Sequence, residues 1–133
     1  MLKVLLVEDN RNLALALETR LKSMGYNLIT ADDVASAMSM IVSRKPDVSL
    51  IDINLPDGTG FTIAKQIMNN PNTPTIPMVF ISADGSTEHK ELAKFYSCTP
   101  LLEKPFKASQ LIDVLAYAQH SSAEKNVCPF AVR

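Results

Sequence analysis

The stretch SLIDINLPDGTGF, residues 49–61, joins a short apolar run to an aspartate and then to a turn. Together with Val48 the run reads VSLI; it ends on Asp52 and breaks at Pro56-Asp57-Gly58. A run this short, lacking clean alternation, suits a strand buried on both faces of a parallel sheet. The question it raises is why a carboxylate sits at the end of such a strand.

Working outward, two more runs have the same character, residues 2–7 (LKVLLV) and 78–81 (MVFI), with weaker candidates at 28–31 (LITA) and 101–103 (LLE). Helical patterns lie between and after them. Leu13, Leu17, Leu21 and Met24 recur at helical spacing, with Gly25 as a stop. Asp32 or Asp33 caps a helix carrying Ala37, Met38 and Ile41 that Pro46 closes. Thr59 precedes a run of Phe61, Ile63, Ala64, Ile67 and Met68. A shorter helix at about 87–96 carries Leu92 and Phe95, and a last one carries Leu111, Ile112, Leu115 and Ala118. Strand and helix alternate five times, which predicts an α/β fold, a doubly wound (βα)5 domain on a five-stranded parallel sheet. Residues 1–120 form this domain, and 121–133 (SSAEKNVCPFAVR) read as a tail or the start of a linker.

Composition agrees with a single globular domain. The chain has 133 residues, 47% of them apolar and 20% charged, and a net charge of −1, so no strong field draws nucleic acid or an anionic membrane. No stretch reaches the roughly 18 apolar residues of a membrane span. Cys98 and Cys128 fit no zinc or redox spacing and suit a reducing cytoplasm. His89 and His120 lie at no metal-ligand spacing and read as exposed helix residues.

Four of the five predicted strands end in a residue able to do chemistry: Glu8-Asp9, Asp52, Ser82 and, running on from the fifth, Lys104. In an open parallel sheet these ends share one edge, where ligands bind beside the topological switch point. Three carboxylates so close repel one another unless some take up protons or a cation joins them. Mg2+, held by one or two carboxylates, water and phosphate oxygens, is the natural partner. A carboxylate beside a metal and a lysine is fitted to receive a phosphoryl group as a nucleophile, with the hydroxyl donating to a phosphoryl oxygen.

Glu8-Asp9, Asp52 followed by Asn54-Leu55-Pro56, Ser82-Ala83 and Lys104-Pro105-Phe106 resemble, in order and spacing, the signature of response-regulator receiver domains of two-component signalling. The resemblance covers residues 2–120 and implies a flavodoxin-like strand order 2-1-3-4-5. It implies that Asp52 is the phosphoacceptor, that Glu8, Asp9, Asp52 and the Asn54 backbone carbonyl hold Mg2+, that Ser82 and Ala83 with Lys104 meet the phosphoryl group, and that the Lys104-Pro105 bond is commonly cis. It further implies a cytoplasmic phosphorelay. The donor is a sensor histidine kinase or phosphotransfer domain, and the surface of helix four, strand five and helix five addresses an output protein, a C-terminal domain or a second copy of the chain. The resemblance implies that the domain catalyses only its own phosphorylation and dephosphorylation. At Leu101 the sequence departs from the pattern, for Tyr or Phe is usual three residues before the lysine, and a leucine cannot swap a hydroxyl between solvent and core.

Singly, each motif has an ordinary explanation: a helix-cap pair for Glu8-Asp9, a turn former for Asp52, a cap for Ser82, a solvated surface charge for Lys104. Asp57 is assigned to the turn. Two other functions stay in view. A binding module with the receiver fold that works without phosphate is left open by Leu101 and opposed by Asp9, Asp52 and Lys104. An aspartyl phosphatase of the haloacid-dehalogenase type needs a second aspartate two residues after the nucleophile, where this chain has Asn54.

Overall fold

The computed structural model describes residues 2–97 and 100–123, and the side chains of 119–123 are not part of that description. The expectations for the cysteines at 98 and 128, for the side chain of His120 and for the tail beyond residue 123 therefore lie outside it.

In chain order the elements are β1 (Lys3–Val7), α1 (Arg11–Ser23), β2 (Asn27–Ala31), α2 (Val34–Arg44), β3 (Val48–Asp52), β4 (Asn54–Leu55), β5 (Gly58–Thr59), α3 (Gly60–Asn69), β6 (Met78–Ser82), α4 (Thr87–Ser97), β7 (Leu102–Glu103) and α5 (Ala108–Ala123). Five strands form one parallel sheet in the order β2-β1-β3-β6-β7, the expected 2-1-3-4-5 once the small β4-β5 hairpin is set aside. Among the described residues that antiparallel hairpin, Asn54↔Thr59 and Leu55↔Gly58, is the one addition to the expected alternation, and the Pro56-Asp57 turn closes it.

Alternation along the strands divides the core in two. Leu5, Val7, Ile51, Met78 and Phe80 point to the face covered by α2, α3 and α4. Val4, Leu6, Val48, Leu50, Val79 and Ile81 point to the face covered by α1 and α5 through Leu17, Leu21, Leu111, Leu115 and Ala118. Burial on both faces explains why these strands read as unbroken apolar runs. Among the described residues no helix is long and apolar enough to cross a membrane.

The helix starts follow local chemistry. Asn10 caps α1 by accepting from the Leu13 amide at 3.1 Å, and Asp33 caps α2 by accepting from Ser36 at 2.8 Å. The α2 helix ends on Lys45 in the left-handed region (φ 47°), immediately before Pro46. In α4 the buried stripe is Ala93 and Tyr96, with Leu92 and Phe95 only part-buried beside it. The expected pair thus lies on the shoulder of the stripe.

Asp57 does more than the turn assigned to it. Its two carboxylate oxygens accept from the first free amides of α2, Val34 at 2.8 Å and Ala35 at 3.1 Å, so the β4-β5 turn is pinned to a helix 22 residues earlier. This gives a test by urea unfolding: Asp57→Ala lowers stability by about 1 kcal/mol, whereas Asp32→Ala, at an exposed neighbouring site, stays within about 0.5 kcal/mol of wild type.

Candidate functional site

Strand register brings the polar ends together. Val7 is level with Ile51, so the next residues, Glu8 and Asp52, emerge side by side. Asp52 in turn lies level with Ile81, one residue before Ser82, and Ser82 is level with Glu103, one residue before Lys104. Each strand stops being apolar at the same edge of the sheet.

Asp52 is 4% exposed, and both of its carboxylate oxygens have partners. Oδ1 accepts from the Asn54 amide at 2.9 Å, and Oδ2 accepts from Lys104 Nζ at 2.6 Å. The same ammonium donates to Glu8 Oε1 at 3.1 Å, while Glu8 Oε2 accepts from the Asn10 amide at 3.2 Å. Lys104 reaches this position from a cis Lys104-Pro105 peptide, the isomer that the family resemblance implies. Asp9 is exposed at the mouth of the site, and one carboxylate oxygen from each of Glu8, Asp9 and Asp52 lies within 4.8 Å of the others. The α3 helix starts directly behind Asp52. The Gly60 amide donates to Ile53 O at 2.8 Å, and a Cβ at Gly60 would stand 2.7 Å from the Asp52 carbonyl oxygen, so only glycine permits this approach.

Burial dominates the electrostatics. It pushes the Glu8 carboxyl up to about 7; shared hydrogen bonding with Asp52 adds to the rise, and the bonds from Lys104 and the Asn10 amide oppose it. Burial alone would lower Lys104, but its bonds to Asp52 and Glu8 outweigh that, and it is held above the usual lysine value. One ammonium thus faces three carboxyl groups, two of them buried. The donor set is all oxygen, and it carries more negative charge than Lys104 offsets, which fits a small hard divalent cation.

Ser82 is fully buried at the end of β6, and its hydroxyl turns back on the following loop rather than to Asp52. It donates to Asp84 O at 2.7 Å and accepts from the Asp84 amide at 2.9 Å. Ala83 is exposed next to it. Leu101 is part-buried and packs against the core on the α4 side of the sheet.

The expectation of an exposed His89 is corrected. The ring is half-buried, with Nδ1 3.4 Å from Ser82 Oγ and 3.2 Å from Asp84 O. A search for metal-ligand spacing passes over it. The signal was Ser86 three residues earlier, which caps α4 by accepting from the His89 amide at 3.2 Å. A residue in that third position of a helix points its side chain back over the preceding turn, here towards Ser82. Gly60 and Asp57 were likewise missed as site supports, since both act through backbone groups distant in sequence.

The raised Glu8 value sets a pH dependence. A carboxyl at about 7 in the fold and 4.5 when free binds more protons folded than unfolded between those values, so its stabilising contribution is present below pH 4.5 and is lost as pH rises through 7. In chelator-treated protein, wild type loses stability relative to Glu8→Gln by a few kcal/mol between pH 4.5 and 7.5, measured by urea unfolding. Parallel curves for the two proteins would refute this account of Glu8.

The model of the response regulator receiver domain family matches residues 4–116. Among curated proteins, transcriptional regulatory protein YxdJ of Bacillus subtilis is 33% identical over 104 residues, 78% of this chain and 44% of YxdJ. Protein PilG of Pseudomonas aeruginosa is 27% identical over 114 residues, 86% of this chain and 84% of PilG. This chain spans about half the length of the transcriptional regulators among its relatives. Among solved structures, the Francisella response regulator 1452 receiver domain superposes with a TM-score of 0.81 at 28% identity, covering 92% of this chain and 99% of that one. The strand order, the acidic edge and these likenesses agree: the chain belongs to the response regulator receiver domain family of two-component signalling.

Proposed function

We propose that Asp52 is the phosphoacceptor of this receiver domain. The observation that carries the reading is the buried Asp52 carboxylate, bound by Lys104 at 2.6 Å beside Glu8 and Asp9 at the sheet edge. One Asp52 oxygen attacks the phosphorus of a phosphohistidine on a sensor histidine kinase or phosphotransfer domain. The P–O bond forms as the P–N bond breaks, and the electron pair leaves with the imidazole. Glu8, Asp9, Asp52 and the Asn54 carbonyl would hold Mg2+, which would offset charge on the phosphoryl oxygens. Lys104, already on Asp52, follows the charge outward onto a phosphoryl oxygen, and the Ser82 hydroxyl swings from Asp84 to donate to another. The Ala83 amide lies on the same loop. Hydrolysis of the acyl phosphate at this site returns the domain to its starting state, so the chain catalyses only its own modification.

The change reaches a partner through α4, β7 and α5. The partner is an output protein, a C-terminal domain or a second copy of this chain, and the setting is the cytoplasm. Residues 1–120 make up the receiver, with α5 continuing past that boundary to Ala123. A phosphate-independent binding module would have no use for two buried carboxyl groups and a lysine at this edge, and it is not favoured.

The test is intact mass after incubation with Mg2+ and acetyl phosphate. Wild type gains one phosphoryl group; Asp52→Ala gains none, and chelation of the metal abolishes the gain. Phosphorylation that persists in Asp52→Ala or ignores the metal would overturn the assignment.

A further inference from the structure

We propose that His89 is a positioning residue that holds the Ser82 hydroxyl on the α4 side of the site, away from Asp52, and ties its release to the first turn of α4. The inference rests on the phosphoacceptor reading and deepens it by naming what Ser82 must leave.

The residues between β6 and α4 form a closed ring of hydrogen bonds. Ser82 Oγ exchanges two bonds with the Asp84 backbone. Asp84 Oδ1 accepts from the Ser86 amide at 3.1 Å, and Ser86 Oγ accepts from the His89 amide at 3.2 Å. His89 Nδ1 closes the ring at 3.2 Å from Asp84 O and 3.4 Å from Ser82 Oγ. A carbonyl oxygen can only accept, so Nδ1 carries the proton. That proton lies between Asp84 O and the lone pair left on Ser82 Oγ, and it therefore favours the hydroxyl position seen here. Moving the hydroxyl to a phosphoryl group on Asp52 breaks its two bonds with Asp84 and its approach to His89 together.

His89 also continues into the core. Its ring meets Phe61 edge-on at 6.1 Å; Phe61 lies 4.7 Å from Phe80 and stacks on Tyr96 at 5.8 Å, and Tyr96 meets Phe95 at 4.9 Å. A row of rings thus runs from the Ser82 hydroxyl along α4. Leu101, already packed against the same cluster, has no hydroxyl to move. The imidazole is the polar group placed to sense Ser82 on this side of the sheet.

The test uses the full chain with Mg2+ and beryllofluoride, a phosphoryl mimic, and compares wild type with His89→Leu, His89→Gln and His89→Asn. An asparagine amide nitrogen occupies the place of Nδ1, whereas that of glutamine occupies the place of Nε2. Loss of one modest hydrogen bond from the free state tightens beryllofluoride binding about 2- to 10-fold in the Leu and Gln variants, and Asn restores the wild-type affinity. The Asn–Gln contrast carries the test even if the Leu variant does not fold. Equal affinity in wild type and Gln, or failure of Asn to restore it, overturns the proposal. So does a 15N spectrum of the free protein in which Nδ1 of His89 bears no proton. If wild type binds beryllofluoride no better than Asp52→Ala does, the phosphoacceptor reading falls first and takes this inference with it.

Discussion

The ammonium of Lys104 makes the rest of the site tenable. Two carboxyl groups, Glu8 and Asp52, are almost wholly withdrawn from water at the end of neighbouring strands, an arrangement that self-repulsion and desolvation both oppose. Lys104 bonds to both, and backbone amides of Asn10 and Asn54 take one further oxygen from each. The compensation is incomplete, as the high Glu8 value records. A cluster of carboxyl groups left short of positive charge in this way fits a small hard cation.

Everything around that pair serves to place it. The parallel register carries Glu8, Asp52, Ser82 and Lys104 to one edge, and the two apolar faces hold the strands rigid beneath them. Gly60 lets α3 press against the Asp52 backbone, and Asp57 locks the β4-β5 turn to α2. Asp52 is thus braced from three directions by neighbouring elements of the fold.

On the other side of the site the bracing is looser and better suited to change. The β6-α4 loop depends on a ring of hydrogen bonds, and Lys90 of α4 meets Glu103 of β7 at 3.3 Å in a solvent-exposed pair. Rearranging such contacts costs far less than repacking the core, so the proposed shift of Ser82 can be passed to α4 while the sheet stays still. With leucine at position 101, the aromatic groups available to carry that shift are Phe61, Tyr96 and Phe95, on α3 and α4.

The sequence by itself determined the alternation of strands and helices, because apolar periodicity and cap residues are local properties that the chain displays directly. It also determined the chemistry of the edge, since Glu8, Asp9, Asp52, Ser82 and Lys104 each close or follow an apolar run and a parallel sheet leaves such ends nowhere else to meet. The short hairpin was not legible, because two-residue strands have no periodicity to read. Nor was the cap that Asp57 provides, the close approach at Gly60 or the placing of His89 against Ser82. These join backbone groups or side chains across elements, and their spacing is set by how helices dock on the sheet. Only the tertiary structure decided them, for the physical reason that a hydrogen bond or a close contact depends on distance in space, to which separation along the chain is no guide.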